Sequence, residues 1–214
     1  LILTYNTNKK NADNLKKKLS TKCNVIIHKC NLTNEEEVKS LVENTIKKFN
    51  KIDCLINCAG VSQFKQIQDV TTNDFNNVVN ANLLSCVLAT KYVSKNMISN
   101  KAGKIINISS IWGVVGASME SLYSATKGAI NTLTLSLAKE LGPSNIRVNS
   151  IAPGAIDTDM NKNVTEEEWM AIKEETPLMK IGKPIDITRC VKWLLEDEFT
   201  TGQVISPNGG LVIT

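Results

Sequence analysis

In the segment LYSATKGA, Tyr123 stands four residues ahead of Lys127. On a helix, positions i and i+4 share a face, so the phenol and the ammonium would reach into one space. That pair is a proton-transfer device. A free tyrosine titrates near about 10, and bringing it to work near neutrality takes about 4 kcal/mol at about 1.4 kcal/mol per pH unit. A unit charge about 4 Å away, at an effective dielectric of about 20, supplies roughly that amount. Upstream, Ser110 follows the apolar run KIINIS, where a buried strand would bring a hydroxyl to the mouth of a parallel sheet and hold a carbonyl oxygen. Asn82 is a polar exception in a segment of apolar helical periodicity carried by Phe75, Val78, Val79, Leu83 and Val87. Taken singly, a Tyr-x-x-x-Lys pair is a common solvated pair, and a serine after a strand is a common loop residue or helix cap. Order and spacing together carry the reading.

The elements that must position these residues follow from the alternation of short apolar runs with longer amphipathic segments, which means a parallel sheet covered by helices. Strands are expected at 1–5, 24–30, 54–57, 104–109, 147–152 and 203–206. Helices are expected at about 8–20, 34–49, 73–99, 121–141, 165–175 and 184–195. The fold class is α/β, a doubly wound parallel sheet with helices on both faces, whose ligands bind at the carboxyl ends of the strands. With 214 residues and 42% hydrophobic content, the chain is expected to form one domain, 1–214, with a substantial core. No run of 18 apolar residues and no signal peptide pattern occurs, so membrane insertion and secretion lack support and a cytoplasmic location is expected. The six cysteines show no CxxC spacing and the only histidine is His28, so no metal site is expected. A formal charge of +4, with the lysines of KKNADNLKKKLS at helical spacing among leucines, reads as a solvated helix face and not as a nucleic acid surface.

NCAG at 57–60, Asn82, Ser110, Tyr123, Lys127 and APGAIDTDM at 152–160 together resemble the classical short-chain dehydrogenase/reductase family, of the kind that includes the 3-oxoacyl-acyl-carrier-protein reductases. The likeness runs over essentially the whole chain. It implies a Rossmann-like domain and an NADPH-dependent oxidoreductase that reduces a ketone to a secondary alcohol. Tyr123 would donate a proton to the carbonyl oxygen while the nicotinamide delivers hydride to its carbon. Lys127 would lower the tyrosine pKa and hydrogen-bond the nicotinamide ribose, and Ser110 would orient the carbonyl. Two tasks stand open for Asn82: anchoring a water that leads from Lys127 to solvent, or satisfying a backbone group in a bent helix. The resemblance also implies cofactor contacts from Asn31 and Leu32 beside the adenine, from Asn57, Ala59 and Gly60 near the ribose, and from Pro153, Gly154, Ile156 and Thr158 near the carboxamide. Asn57 would tie neighbouring strands together, and Cys58 replaces the asparagine more frequent at its position. Residues 159–181 read as a substrate lid, with Trp169, Met170 and Met179 open to either pocket lining or core packing.

Two departures from the family pattern matter. The chain opens at a strand and contains no Gly-rich turn for a dinucleotide pyrophosphate, so the first strand and that turn are expected to lie outside these residues. In the family that strand lies in the middle of the sheet, and its removal would leave two edges and an open core. After the strand at 1–5, the segment Thr4 to Lys10 has no acidic side chain. A carboxylate there would bind the ribose diol of NAD and repel a 2'-phosphate. Its absence, with Asn6, Thr7, Lys9 and Lys10 present, favours NADP over NAD. Of the two basic positions that resemble a carrier-protein docking surface, Lys101 keeps its charge and Ser144 does not.

A narrower likeness rests on YNTN at 5–8, SSIWG at 109–113, GAS at 116–118, Glu120 and LYS at 122–124, which look like a branch assigned as elongation factor P aminopentanone reductases. Ser110, Trp112 and Glu120 are the substrate residues it suggests. Glu120 would pair with a substrate amine or else only favour its helix N-terminus. A third class of reading, a non-catalytic NADP-binding scaffold or sensor, is opposed by the presence of all four of Asn82, Ser110, Tyr123 and Lys127. By resemblance the two long helices and the C-terminal strand form subunit interfaces, so a homotetramer is expected.

Overall fold

A computed structural model describes residues 1–214. Six strands alternate with eight helices: β1 (Ile2–Tyr5), α1 (Lys9–Leu19), β2 (Ile26–Lys29), α2 (Glu35–Phe49), β3 (Cys54–Asn57), α3 (Thr72–Val79), α4 (Ser85–Asn100), β4 (Gly103–Ile108), α5 (Trp112–Val115), α6 (Ser121–Leu141), β5 (Ile146–Ile151), α7 (Glu166–Glu175), α8 (Pro184–Glu196) and β6 (Val204–Ile205). Local chemistry sets the boundaries. Asn34 caps α2 by accepting from the Glu37 N–H, Glu35, Glu36 and Glu37 fill its first turn, and Lys47 and Lys48 its last, each sign opposing the helix dipole. Thr71 with Asp74 and Thr165 with Glu168 form reciprocal capping boxes that start α3 and α7.

Every strand pairing is parallel. β4 and β5 occupy the interior of a four-stranded sheet ordered β3-β4-β5-β6. Successive residues Ile105 and Ile106 are 0% and 1% exposed, so both faces of β4 are covered, as a parallel sheet requires. On one face Ile105 and Val148 pack with Val42, Val93, Met97, Ala138 and Leu141 from α2, α4 and α6. On the other, Ile106 and Ile151 pack with Leu194 of α8. The doubly wound architecture expected from the sequence is therefore present.

Three details differ from the sequence reading. First, the sheet is divided: β1 and β2 form a two-stranded ladder of their own, with no hydrogen-bonded pairing to β3. The division falls between β1 and β3, where the sequence reading places a strand that these residues do not supply. What joins the parts is α2 against α4, where Cys30, Val38 and Leu88 pack together and the Glu35 carboxylate accepts from Lys91 Nζ at 2.6 Å and Tyr92 Oη at 2.8 Å. Second, the single helix expected at 73–99 is α3 and α4 joined by a π-helical turn, Asn80–Leu84. Third, the one-turn helix α5 lies outside the expected elements, and β2 and β6 are shorter than the apolar runs suggest.

Gly103, the first residue of β4, is required by packing. A Cβ there would lie 2.4 Å from the sulfur of Met97 and 2.9 Å from its Cβ, and Met97 is 0% exposed with nowhere to move. Gly103→Ala is expected to destabilise the fold by about 1–3 kcal/mol, the usual cost of overpacking, read as a lowered denaturation midpoint.

Candidate active site

The carboxyl ends of β4 and β5 deliver the site. As β4 ends, the Ser109 N–H donates to Ile151 O at 2.7 Å and its hydroxyl donates to Lys127 O at 3.0 Å. The Ile111 N–H then donates to Pro153 O at 3.0 Å. The segment carrying Ser110 is thus fastened both to the exit of β5 and to α6. The Ser110 hydroxyl accepts from the Trp112 N–H at 3.2 Å, at the start of α5. That short helix lies directly on α6, because at Gly113 a Cβ would stand 2.5 Å from the carbonyl carbon of Lys127. Asn131 locks the approach by donating to Gly113 O at 3.0 Å.

Tyr123 and Lys127 are both buried on α6, 8% and 4% exposed, and the ammonium lies 5.6 Å from the phenol ring centroid. Lys127 Nζ donates to Ile108 O, the last carbonyl of β4, at 2.8 Å. Burial pushes the Lys127 pKa down, against the opposing influence of the Cys58 and Cys86 thiols. Burial likewise pushes the Tyr123 pKa up; the Ser110 hydroxyl facing it pulls it down, and the charge of Glu120 pushes it up. The sequence reading expected the lysine to lower the tyrosine. Here burial is the largest influence on the phenol, and the ammonium lies over the ring, bonded to a backbone carbonyl. Tyr123 is consequently held as the neutral phenol, the form that can give a proton away.

Asn82 sits in the π-helical turn, 1% exposed. Its Oδ1 accepts from the Val61 N–H at 2.7 Å, and its Nδ2 donates to Val61 O at 2.9 Å and to Thr126 Oγ1 at 3.0 Å. Both amide hydrogens are committed, so the side chain clamps the loop at Val61, and only the second lone pair of Oδ1 is left to hold a water. It does satisfy backbone groups, but those of Val61 and not of its own helix. Gly60 completes the arrangement: its backbone passes so close that a Cβ would stand 3.1 Å from Asn82 Oδ1 and 3.5 Å from Lys127 Nζ. Asn57 turns inward, donating to Asn107 Oδ1 at 2.9 Å and Thr90 Oγ1 at 3.2 Å, and so ties β3 to β4 and α4.

The remaining sequence candidates occupy the rim. Asn6 and Thr7 are exposed after β1, Ala59 is exposed beside Gly60, and Leu32 packs against the α2–α4 cluster. Asn31 Oδ1 is occupied by the N–H and hydroxyl of Thr33 at 3.1 and 2.9 Å. Beyond Pro153, Gly154 packs on Asn208, where a Cβ would be 2.7 Å away, and Ile156 bridges to Gly182. Thr158 Oγ1 donates to Ile156 O at 3.5 Å. These groups fit a nicotinamide dinucleotide: bare backbone at Gly60 over an amide and an ammonium, and neutral side chains without a carboxylate after β1. Trp112 is partly exposed in α5. Glu120 is the N-cap residue of α6, yet its side chain makes no capping bond, and partial burial raises its pKa. Among the lid residues, Met179 borders an open cleft of about 500 Å³ with Lys173, Lys180 and Lys183, and Trp169 borders a second of about 190 Å³ with Asp157. Ser110, Tyr123 and Lys127 line neither cleft, and Met170 is 62% exposed.

Sequence reasoning missed the buried polar groups that hold the site. Asn107 Nδ2 donates to Thr134 Oγ1 at 2.9 Å; Ser150 Oγ donates to Asn107 O at 3.3 Å and Asn131 Oδ1 at 3.2 Å; Thr126 Oγ1 donates to Tyr123 O at 2.8 Å. The available signal was polar residues inside apolar strands and on the inward face of α6, where Lys127 and Asn131 recur at i+4. No group of three His, Cys, Asp or Glu side chains converges on a possible metal position, and no helix is long and apolar enough to cross a membrane.

A family model described as Enoyl-(Acyl carrier protein) reductase matches residues 1–212. The "Uncharacterized oxidoreductase YmfI" of Bacillus subtilis is 38% identical over 214 residues, covering 98% of this chain and 87% of that protein. The 3-oxoacyl-[acyl-carrier-protein] reductase FabG of Thermotoga maritima is 36% identical over 185 residues, 86% of this chain and 75% of its own. Among solved structures, "ElxO with NADP Bound" superposes with a TM-score of 0.89 at 32% identity, covering 98% of this chain and 87% of that one.

The charge of Glu120 acts on the phenol, and this has a measurable sign. A raised Tyr123 pKa keeps the phenol protonated through neutral pH, so proton donation is lost only as pH rises through that pKa. Glu120→Gln removes a charge that disfavours the phenolate, and the alkaline limb of the reductive kcat/KM profile is expected to move to lower pH.

Proposed function

The chain belongs to the short-chain dehydrogenase/reductase family, and we propose that it is an NADPH-dependent reductase of a ketone group, 3-oxoacyl-acyl-carrier-protein reductase-like in its chemistry. The observation that carries the reading is the convergence of the Ser110 and Tyr123 hydroxyls above a buried Lys127. Two neutral hydroxyls facing one another are suited to a single carbonyl oxygen, one orienting it and one protonating it. This favours a C=O substrate over the C=C bond that the matching family description names. The bound nicotinamide would supply hydride. Ser110 holds the ketone oxygen, Tyr123 passes it the phenolic proton, and Lys127, beside Gly60, offers its remaining N–H donors toward the cofactor ribose. The burial that keeps Tyr123 protonated also excludes water from the transfer.

NADP is favoured over NAD by the residues after β1, where Asn6, Thr7, Lys9 and Lys10 stand without a carboxylate, and by the NADP named in the similar solved structure. A carrier-bound substrate is consistent with exposed Lys101, whose carbonyl accepts from Asn145 beside Ser144, although one positive charge is a small docking surface for an acidic carrier. A second substrate reading, the aminopentanone modification on elongation factor P, is favoured by Glu120, a partly buried carboxylate near Tyr123 that no cap or ion pair uses. The same reading carries a homotetramer in the cytoplasm, supported by the apolar side chains of Val87 and Ile98 on α4 and Leu135 on α6, each between 38% and 43% exposed.

The test is NADPH consumption against an acetoacetyl thioester and against an aminopentanone-type ketone, with NADH in parallel. Tyr123→Phe is expected to reduce turnover by about 10²–10⁴-fold, the contribution of a positioned general acid. Turnover of the thioester alone supports the acyl-carrier reading, and turnover of the amino ketone alone supports the translation-factor reading. Absence of Tyr123-dependent turnover with both overturns these substrate assignments and moves weight to another carbonyl substrate or to a non-catalytic NADP-binding scaffold or sensor.

A further inference from the structure

We infer that Thr126 is a positioning residue that couples the cofactor-facing NCAG loop to the catalytic helix, acting through Asn82. Thr126 is 3% exposed and immediately precedes Lys127 on α6. Its hydroxyl has one hydrogen, which it donates to Tyr123 O at 2.8 Å. It can therefore meet Asn82 only as an acceptor, so the amide edge facing it at 3.0 Å must be the NH₂ group. The amide orientation is thereby fixed, and with it the pairing of Oδ1 to the Val61 N–H and of Nδ2 to Val61 O.

Of the three hydrogen bonds made by Asn82, two reach the loop and only the one to Thr126 reaches α6. Without that bond, the clamp and Gly60 are free to shift relative to the Lys127 ammonium, beside which a Cβ at Gly60 would stand 3.5 Å from Nζ and 3.1 Å from Asn82 Oδ1. A buried amide hydrogen would also lose its partner, and an unmade buried bond costs more than a made one gains. The loop, at the face proposed above for the cofactor ribose, is then the part expected to loosen. The assignment of a cofactor there rests on the proposed function; the mechanical coupling does not.

Thr126→Val keeps the shape and removes the hydroxyl, while Thr126→Ser keeps the hydroxyl and trims a methyl. In Thr126→Val, hydrogen exchange at the Val61 amide is expected to speed up, because its acceptor is no longer held. KM for NADPH is expected to rise by roughly tenfold, about the worth of one hydrogen bond, with kcat changed far less. Thr126→Ser should restore both. Unchanged exchange at Val61 in Thr126→Val overturns the coupling, as does a serine variant as impaired as the valine one, which would assign the effect to methyl packing. Faster exchange with unchanged NADPH affinity would keep the coupling and overturn the placement of the cofactor against this loop.

Discussion

Taking an ammonium out of water is among the most costly demands a fold can meet, and the arrangement around Lys127 follows from it. The charge is 4% exposed and its pKa is depressed by burial. The Ile108 carbonyl, at the end of β4, turns to it. Ser109 secures the main chain of Lys127 itself, Gly113 lets a second helix press on that same backbone, and Gly60 brings a loop over the ammonium. A fold that only needed a core would put an apolar residue at this position. One that presents a cation to a ligand must build a polar lining and keep it dry.

That lining is continuous. Asn57, Thr90, Asn107 and Thr134 link β3, α4, β4 and α6 in one chain of hydrogen bonds, and Ser150 and Asn131 extend it to β5 and α5. Each member has its partner inside the protein, so the network orients side chains without leaving buried groups unpaired. Apolar packing of Ile105, Ile106, Val148 and Ile151 fixes the strands around it. Core and network divide the labour: packing holds the sheet and helices together, and the polar chain sets the position of β4's last residues against α6.

What the sequence made legible was whatever repeats within one element. The i, i+4 spacing placed Tyr123 and Lys127 on one face, and the run before Ser110 marked β4 as a strand buried on both sides. Hydrophobic alternation marked the doubly wound class. Pairings across distant segments were not legible: Thr126 with Asn82, Asn107 with Thr134 and Gly113 with Lys127 join residues that share no period. The electrostatic balance at Tyr123 was not legible for a related reason. A lysine near a tyrosine predicts a lowered phenol pKa only if the solvent cost is small, and sequence does not reveal how deeply both are buried. The division of the sheet between β1 and β3 is where the family resemblance leaves two edges, although no local pattern encodes it.

The π-helical turn at Asn80–Leu84 determines what Asn82 can face. An α-helix advances about 100° per residue, so a turn closed at i+5 inserts one residue's worth of phase between the segments before and after it. α3 and α4 therefore run on as one rod while their apolar stripes belong to different angular registers. Asn82 sits in the dislocation. A helix without it would keep either the stripe of α3 or that of α4 aligned with its neighbours, but not both together with an amide aimed at Val61. The bulge is a phase shifter: it lets a long helix pack as an ordinary wall at its two ends and, between them, turn one polar side chain toward the loop.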